Sequence, residues 1–168
     1  MALRLFSAYG PRQALSNPYT GVAAIFAGRL MNGQPPLIFE DGEQSRDFVH
    51  VSDVAAATLR ALARDDVGDV AMNIGSGTRV TIAEVARTIQ KSLGGPDAEI
   101  LGTYRHGDIR HCYPDISLAR RVLDWEPKLQ LAQGVEDLVG WVASQTSPEN
   151  MLDSAFEELR QRGLLKDR

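Results

Sequence analysis

Short apolar segments with strand character alternate with amphipathic segments of helical spacing along most of this 168-residue chain. Such an alternation is typical of α/β domains, in which a crossover helix joins strands that pair in parallel. The pattern therefore predicts an α/β fold. The predicted strands are residues 2–6, 37–39, 47–51, 71–74 and 99–101, and the predicted helices are residues 21–31, 54–64, 82–93, 117–123 and 131–144.

Local signals mark the ends of several of these elements. The Asp41-Gly42 pair is a hairpin-type turn, so we expect the strands on either side of it to form a small β-excursion. Ser52 or Asp53 is placed to cap the helix that follows. Thr81 and Glu84 have the spacing of a capping box, which predicts a helix that begins directly after Thr81.

The apolar content bounds the size of the core. With 43% apolar residues over 168 positions, the chain can bury one substantial core, and we expect one domain over residues 1–144. Residues 145–168 are predicted to form a helical tail. The apolar residues at helical spacing in this tail are Met151, Leu152, Phe156 and Leu159.

Charge and cysteine content limit the partners of the protein. The net charge of −4 provides no overall basic field for a nucleic acid. Cys112 is the single cysteine, which excludes an internal disulfide and fits a reducing compartment. No segment approaches the roughly 20 apolar residues of a membrane-spanning helix. We therefore expect a cytoplasmic protein with neither a nucleic-acid nor a membrane partner.

The segment Ile74–Val80 carries a Gly-x-Gly pattern after a predicted strand and before a predicted helix. A dinucleotide-binding turn has this placement, and its third glycine allows the helix to approach the strand closely. Here Val80 stands where that glycine is needed. A simple strand-to-helix turn is therefore favoured over a cofactor site.

Hydrolytic and metal chemistry lack the residues that they need. Cys112 lies between His111 and Tyr113 without an evident acidic partner, and no Gly-x-Ser-x-Gly nucleophile elbow occurs. His50, His106 and His111 are on separate segments, without the short spacing of a metal-ligand pair. The sequence therefore predicts neither a hydrolase site nor a metal site.

Two arginines are candidates for binding a phosphorylated ligand. Arg46 precedes a predicted strand and Arg105 lies in a glycine-containing loop, positions at which ligands commonly bind. A guanidinium presents a planar set of donors that matches phosphate oxygens and stays charged at any working pH. The alternative is that both arginines form surface ion pairs, Arg46 with Asp47 or Glu43 and Arg105 with Asp108. The sequence pattern alone does not decide between phosphate binding and ion pairing.

Several motifs in a fixed order resemble the extended short-chain dehydrogenases that act on nucleotide sugars. Within that family, residues 14–27 are most similar to dTDP-L-rhamnose 4-epimerases and UDP-glucose 4-epimerase-like proteins. The resemblance extends to about Ser144. The motifs are LRLFSAYGPRQ at 3–13, FEDGEQSRDFVHVSDVA at 39–55, NIGSG followed by TIAEVA, RHGDIRHCYPDISLARRVLDWEPK, and a trailing helix with Gly134 and Trp141.

The resemblance implies a fold and a nucleotide-sugar site. The fold would be the C-terminal, substrate-binding portion of such an enzyme, with the last strands of a Rossmann-type sheet. Arg46 and Arg105 would hold the substrate diphosphate, and Asp108 would accept a hydroxyl of the nucleotide ribose. Leu37 and Phe39 would line the base pocket, where core strand positions are the alternative interpretation.

Two substitutions depart from the family pattern at this site. Ser7 stands where the family usually has an asparagine that contacts the sugar diphosphate near the nicotinamide, and its shorter side chain needs a bridging water for the same contact. His106 stands where a proline is usual, which makes the loop before Asp108 less rigid. Neither change removes the two arginines.

The glycine-rich NAD-binding turn and the Tyr-x-x-x-Lys catalytic pair of the family have no counterpart in this sequence. A lysine ammonium lowers the pKa of the tyrosine that acts as the base, and none of the four tyrosines has a lysine four positions later. We therefore assign no catalytic residue and expect that NAD and the catalytic pair belong to an N-terminal half of the complete enzyme. The residues four positions after the tyrosines are Gln13, Ala23, Asp108 and Ser117.

Three functions fit these observations. The first is the substrate-binding part of an NAD-dependent nucleotide-sugar 4-epimerase, inactive by itself. The second is the same part of a nucleotide-sugar 4,6-dehydratase or decarboxylase, and the third is a non-catalytic nucleotide-sugar-binding or partner module. Residues 2–6, which read as a buried strand, and residues 71–74 would belong to the parallel sheet of the missing half, so their strand edges would be exposed in this chain alone. We therefore expect poor solubility, oligomers or pairing with another chain.

Overall fold

The computed structural model describes residues 1–14, 21–105, 107–145 and 165–166. Among these residues the helices are α1 (Val22–Met31), α2 (Val51–Leu62), α3 (Ile82–Leu93), α4 (Ser117–Leu123) and α5 (Leu131–Ala143). The strands are β1 (Ala2–Leu5), β2 (Ser7–Tyr9), β3 (Leu37–Ile38), β4 (Ser45–Arg46), β5 (Phe48–His50), β6 (Ala71–Ile74), β7 (Val80–Thr81), β8 (Glu99–Ile100), β9 (Tyr104–Arg105), β10 (His111–Cys112) and β11 (Leu165–Lys166).

Parallel strand pairs joined by helices confirm the predicted α/β fold. Strand β1 pairs in parallel with β6, β2 with β5, and β3 with β8. The described part also contains a three-stranded sheet in the order β10-β4-β7, parallel between β10 and β4 and antiparallel between β4 and β7. These pairings join segments far apart in the chain, as crossover connections require.

The predicted β-excursion is wrong in its pairing. Strands β3 and β5 lie on either side of the Asp41-Gly42 turn, but each pairs with a distant strand rather than with the other. The turn is present, since the Asp41 side chain accepts a hydrogen bond from the Glu43 amide at 3.0 Å. It leads into β4, which the sequence did not predict and which takes its partners from β7 and β10.

Two clusters of buried apolar residues flank the strands. Helices α1, α3 and α5 pack together around the first cluster. Strand β6 packs with α2 and α4 around the second. Fully buried large side chains of the first cluster are Phe26, Ile38, Val85, Ile89, Val135, Leu138 and Val142, and those of the second are Met72, Ile74 and Trp125.

The helix ends test the predicted caps. The Thr81–Glu84 capping box is confirmed, with both reciprocal hydrogen bonds present. The predicted cap of α2 is wrong, because His50 is the N-cap residue and its side chain accepts a hydrogen bond from the Ser52 amide. Asp53 instead turns its buried carboxylate toward the amides of Lys128 and Leu129, each at 3.0 Å.

The ends of the described chain differ from the expected picture. Strand β1 is not the buried strand predicted for residues 2–6, because Ala2, Arg4 and Leu5 are exposed and β6 is its one partner in the described part. The helix predicted through Met151 lies outside the described residues. Strand β11 pairs antiparallel with β9, so the chain near residue 165 lies beside the strand that carries Arg105. No helix among the described residues is long and apolar enough to cross a membrane.

Candidate functional site

Arg46 lies on β4, the central strand of the three-stranded sheet, and its side chain is only 18% exposed. Its Nη1 donates to the Ser45 carbonyl oxygen at 2.9 Å and to the Arg110 carbonyl oxygen at 3.1 Å. Its Nη2 lies 2.7 Å from Oδ1 of Asp108. The structure therefore brings together two residues that the resemblance assigned to one ligand, although 62 positions separate them in the chain.

The ion pair of Arg46 is not the one that its sequence neighbours suggested. Glu43 is exposed, and Asp47 is fully buried and directs its carboxylate to another loop. A guanidinium has five N–H donors, and three of them are used in the contacts above. Within the described part of the chain, the Nε–H and one Nη2–H of Arg46 remain without a partner. These two donors match the two-point geometry by which arginine binds phosphate.

The position of Arg105 is known only at the level of its backbone. It lies on β9, where it is the register partner of Leu165. Its side chain and the neighbouring His106 are outside the described residues, so the diphosphate role of Arg105 and its alternative pairing with Asp108 stay predictions. Asp108 itself is 42% exposed and also accepts the Ile109 amide at 2.9 Å.

The segment that contains Leu37 and Phe39 pairs with β8 along one edge. The carbonyl oxygens of Pro36 and Ile38 accept the amides of Glu99 and Leu101, at 2.8 and 2.9 Å. Because backbone groups alternate in direction along a strand, those of Leu37 point to the opposite edge of β3. Phe39 is half-buried, and its carbonyl oxygen accepts the side-chain amide of Gln44 at 2.8 Å. The backbone groups of Leu37 therefore point away from β8.

Ser7 lies on β2, which pairs with the strand that follows Arg46 in the chain. Strand β2 places Ser7 opposite Phe48, two residues beyond Arg46, and the serine is half-buried. The chain then continues into a cleft of about 590 Å³ that the sequence did not predict. The cleft is formed by residues 8–13 together with Val51, Ser52 and Ala55 of α2.

Tyr9 and His50 form a buried polar cluster beside this cleft, which the sequence did not predict either. The rings of Tyr9 and His50 pack edge to face with centroids 5.5 Å apart, and a Cβ at Gly134 of α5 would overlap the Tyr9 hydroxyl. Burial, reinforced by the charges of Asp53 and Asp137, raises the pKa of Tyr9 well above its ordinary value. From the sequence, His50 was weighed only as a metal ligand. In the structure it is the N-cap residue of α2, and the signal for this role was its place directly before the helix in the VHVSDVA motif.

The Gly75–Thr78 turn does not fit a dinucleotide phosphate. The amide of Ser76 donates to Asp47 Oδ1 at 2.6 Å, and the amide of Thr78 donates to Oδ2 at 3.1 Å. A carboxylate of the chain itself thus occupies the place that an anionic ligand would take. A Cβ at Gly75 would also lie 2.5 Å from Pro114. This turn joins β6 to β7, which leads directly into α3.

Of the candidate metal and nucleophile residues, His50, His111 and Cys112 lie among the described residues. No group of three histidine, cysteine or acidic side chains is close enough to hold a metal ion there. His111 Nδ1 lies 2.9 Å from the hydroxyl of Ser45, which also accepts a hydrogen bond from Arg79 at 3.0 Å. Cys112 is half-buried and forms no disulfide.

Parallel strand pairs joined by crossover helices define a part of a Rossmann-type fold. Residues 1–75 match the model of the NAD dependent epimerase/dehydratase family. The chain is therefore similar to this NAD dependent family.

The matched proteins agree on this family. The chain is 37% identical to dTDP-L-rhamnose 4-epimerase of Burkholderia thailandensis, over 88% of this chain and 41% of that protein. It is 35% identical to UDP-glucuronic acid decarboxylase 6 of Arabidopsis thaliana, over 79% of this chain and 37% of the relative. The chain therefore spans less than half the length of these relatives.

Solved structures show the same fold. The UDP-N-acetylglucosamine 4-epimerase of Methanobrevibacter ruminantium M1, in complex with UDP-N-acetylmuramic acid, matches with a TM-score of 0.80 and 34% identity, over 86% of this chain and 46% of that one. The UDP-glucuronic acid 4-epimerase of Bacillus cereus, in complex with UDP-glucuronic acid and NAD, matches with a TM-score of 0.76 and 26% identity, over 84% of this chain and 44% of that one.

Proposed function

We propose that this chain is the nucleotide-sugar-binding part of an NAD-dependent nucleotide-sugar 4-epimerase that acts on a dTDP- or UDP-sugar. The observation that carries the proposal is the pairing of Arg46 with Asp108 at 2.7 Å, on a guanidinium with two donors still without a described partner. The similarity to nucleotide-sugar 4-epimerases, in sequence and in structure, supports it.

In this proposal the ligand binds along the edge formed by β3, β4 and the loop around Asp108. The diphosphate binds the two donors of Arg46 that have no described partner. A ribose hydroxyl donates a hydrogen bond to the Asp108 carboxylate. Both contacts are charge-assisted hydrogen bonds. Leu37 and Phe39 hold the base, through backbone hydrogen bonds of one and the ring face of the other. Arg105 is the proposed second diphosphate ligand.

The binding contacts serve a reaction at the other end of the ligand. An epimerase oxidises C4, rotates the keto sugar and reduces it from the opposite face, and NAD supplies the hydride acceptor and donor when bound. Contacts to the nucleotide hold the ligand while its sugar turns, so they contribute binding energy away from the reacting carbon. Ser7 is the proposed residue nearest to the sugar. None of the tyrosines has a lysine four positions later, so we propose no base and no hydride transfer for this chain by itself.

A decarboxylase or dehydratase of the same family is the second candidate. The 35% identity to a UDP-glucuronic acid decarboxylase favours it, because that relative matches over nearly the same share of this chain. Analysis of the product from a complemented, full-length enzyme separates the two. A non-catalytic binding module is the third candidate, and absence of any product when a complementary half is supplied would be its signature. In each candidate the proposed setting is the cytoplasm, with a second copy or a complementary half as the protein partner.

Thermal unfolding with added ligands tests the proposal. The chain is titrated separately with UDP, dTDP, inorganic pyrophosphate and NAD, because a ligand that binds the native state at about 100 times its Kd stabilises it by about 2.7 kcal/mol. We expect UDP or dTDP to raise the Tm and NAD to leave it unchanged. No shift with either nucleoside diphosphate would contradict a binding site in this chain.

Two variants locate the binding. R46Q removes the guanidinium and should abolish the shift with both nucleoside diphosphates and with pyrophosphate. R64Q is the matched control, because Arg64 is likewise an arginine held by a carboxylate, with Asp66 2.7 Å away, and it lies outside the proposed site. An R46Q protein that folds, by circular dichroism, and still responds like the parent would rule out Arg46 as the diphosphate ligand.

A further inference from the structure

One arginine ties together the two loops on either side of the proposed nucleotide site. Nη1 of Arg110 lies 2.8 Å from Oε2 of Glu40, and Nη2 lies 2.8 Å from Oδ2 of Asp41. The hydrogen bond from Arg110 is the main cause that lowers the pKa of Asp41 below its usual value. We refer to these three side chains as the arginine clasp.

The main chain of the same arginine contacts the strand that carries Arg46. The carbonyl oxygen of Arg110 accepts the Ser45 amide at 2.9 Å and Nη1 of Arg46 at 3.1 Å. A single residue thereby contacts the diphosphate arginine with its backbone and the loop after β3 with its side chain. Asp108, the proposed ribose ligand, is two residues away in the same loop.

The loop on the other side of the clasp is held in an uncommon conformation. Glu40 has φ +55°, a left-handed geometry that a residue other than glycine adopts only when its surroundings enforce it. Its amide donates to the Thr103 carbonyl oxygen at 2.8 Å, and its carboxylate is held by Arg110. Phe39, the proposed base contact, directly precedes Glu40.

We propose that Arg110 is a positioning residue that sets the distance between the base subsite and the diphosphate subsite. This inference rests on the proposed nucleotide-binding function. The role of Arg110 in this proposal is to join the loops rather than to bind the ligand, because each of its Nη atoms lies 2.8 Å from a carboxylate oxygen of the facing loop. It holds Phe39 and Asp108 at the spacing that a nucleoside requires, whereas Arg46 keeps its place on β4 by strand pairing.

The expected signature is a selective loss of binding. Inorganic pyrophosphate needs only the diphosphate subsite, whereas UDP or dTDP must reach the diphosphate, ribose and base subsites together. In R110Q the two loops are no longer joined, so affinity for the nucleoside diphosphate should fall by about three- to tenfold, the range expected of a partly exposed charge pair. Affinity for pyrophosphate should change by less than about twofold.

Isothermal titration of the parent, R110Q, R110K and R64Q with UDP, dTDP and pyrophosphate tests this. Lysine retains the charge and can reach only one carboxylate, so R110K should lie between the parent and R110Q. R64Q should match the parent with every ligand. E40Q with D41N removes the clasp from the opposite side and should reproduce R110Q, which covers the case of an R110Q protein that fails to fold.

The outcomes distinguish failure of the positioning role of Arg110 from failure of the proposed nucleotide-binding function. Equal losses for the nucleoside diphosphate and pyrophosphate, or none for either, would overturn the positioning role while the proposed function stands. A parent chain that binds pyrophosphate but no nucleoside diphosphate would overturn the proposed function, and the role of Arg110 with it. A selective loss in R110Q and in the double variant, with partial recovery in R110K, supports the inference.

Discussion

The carboxylate of Asp47 accepts a hydrogen bond from the Ser76 amide at 2.6 Å, and Asp47 is fully buried. It also accepts from the Ser76 hydroxyl at 3.0 Å and the Thr78 amide at 3.1 Å. Burial raises the pKa of Asp47, and these hydrogen bonds act in the opposite direction. The residue next to the proposed diphosphate arginine thus holds the turn that joins β6 to β7, the strand beside β4.

Replacement of Asp47 by asparagine should destabilise the protein. Each carboxylate oxygen accepts a backbone amide, so an asparagine NH₂ group would face an N–H donor in either orientation. A buried donor without an acceptor costs about 1–3 kcal/mol, so we expect the free energy of unfolding to fall by about that amount. Urea denaturation measures it, with D65N as the control at an exposed carboxylate. Equal stabilities of D47N and D65N would contradict the role of Asp47.

Gly134 should not tolerate a methyl group. It is buried on α5, and an added Cβ would meet the Tyr9 hydroxyl and lie 2.9 Å from the His50 ring. We expect G134A to lower the free energy of unfolding by about 1–3 kcal/mol through overpacking. Gly140 on the same helix has nothing within 4 Å of such a Cβ, so G140A should raise it by about 0.5–1 kcal/mol, the helix propensity difference. The same sign of change in both variants would show that the packing is misassigned.

Tyr9 should make the protein sensitive to alkali. Because its folded-state pKa is raised, the neutral phenol is favoured in the fold, and this contribution is complete below the unfolded pKa of about 10. As the pH rises above that value, the unfolded state loses its proton first and stability falls until the folded pKa is reached. Urea midpoints at pH 8 and at higher pH should therefore fall less in Y9F than in the parent. Y113F, at a 55% exposed tyrosine, is the control and should behave like the parent.

The open edge of β1 should promote self-association. The amides of Ala2 and Phe6 donate to the Val70 and Ile74 carbonyl oxygens, so the intervening amide of Leu5 points away from β6, and its side chain is 52% exposed. We expect the purified chain to form oligomers on size exclusion with light scattering.

A lysine at this edge should reduce that association, because charge opposes edge pairing. L5K should shift the chain toward the monomer more than L62K does, since Leu62 is more exposed, at 76%, but lies on a helix. A monodisperse monomer of the parent chain at high concentration would contradict this expectation.

Helix positions and the α/β class could be predicted because their determinants are local. The capping box at Thr81 and the apolar spacing after it specify α3 within a few residues. The predicted pairing of β3 with β5 is wrong because a turn motif indicates only that the chain changes direction. It does not indicate which strands pair with each other. The predicted cap of α2 is wrong because the buried Asp53 carboxylate accepts hydrogen bonds from amides 75 and 76 positions away in the chain.

The sequence by itself determined the α/β class, most helices and, through motif order, the residues proposed for the nucleotide site. Only the tertiary structure decided which of the 22 acidic residues each arginine contacts: Asp108 for Arg46, and Glu40 with Asp41 for Arg110. Charge attraction is non-specific along a chain, so any carboxylate is a possible partner until strand pairing brings one within about 4 Å. The pairing of β4 with β10 does this, and it depends on two segments more than 60 residues apart.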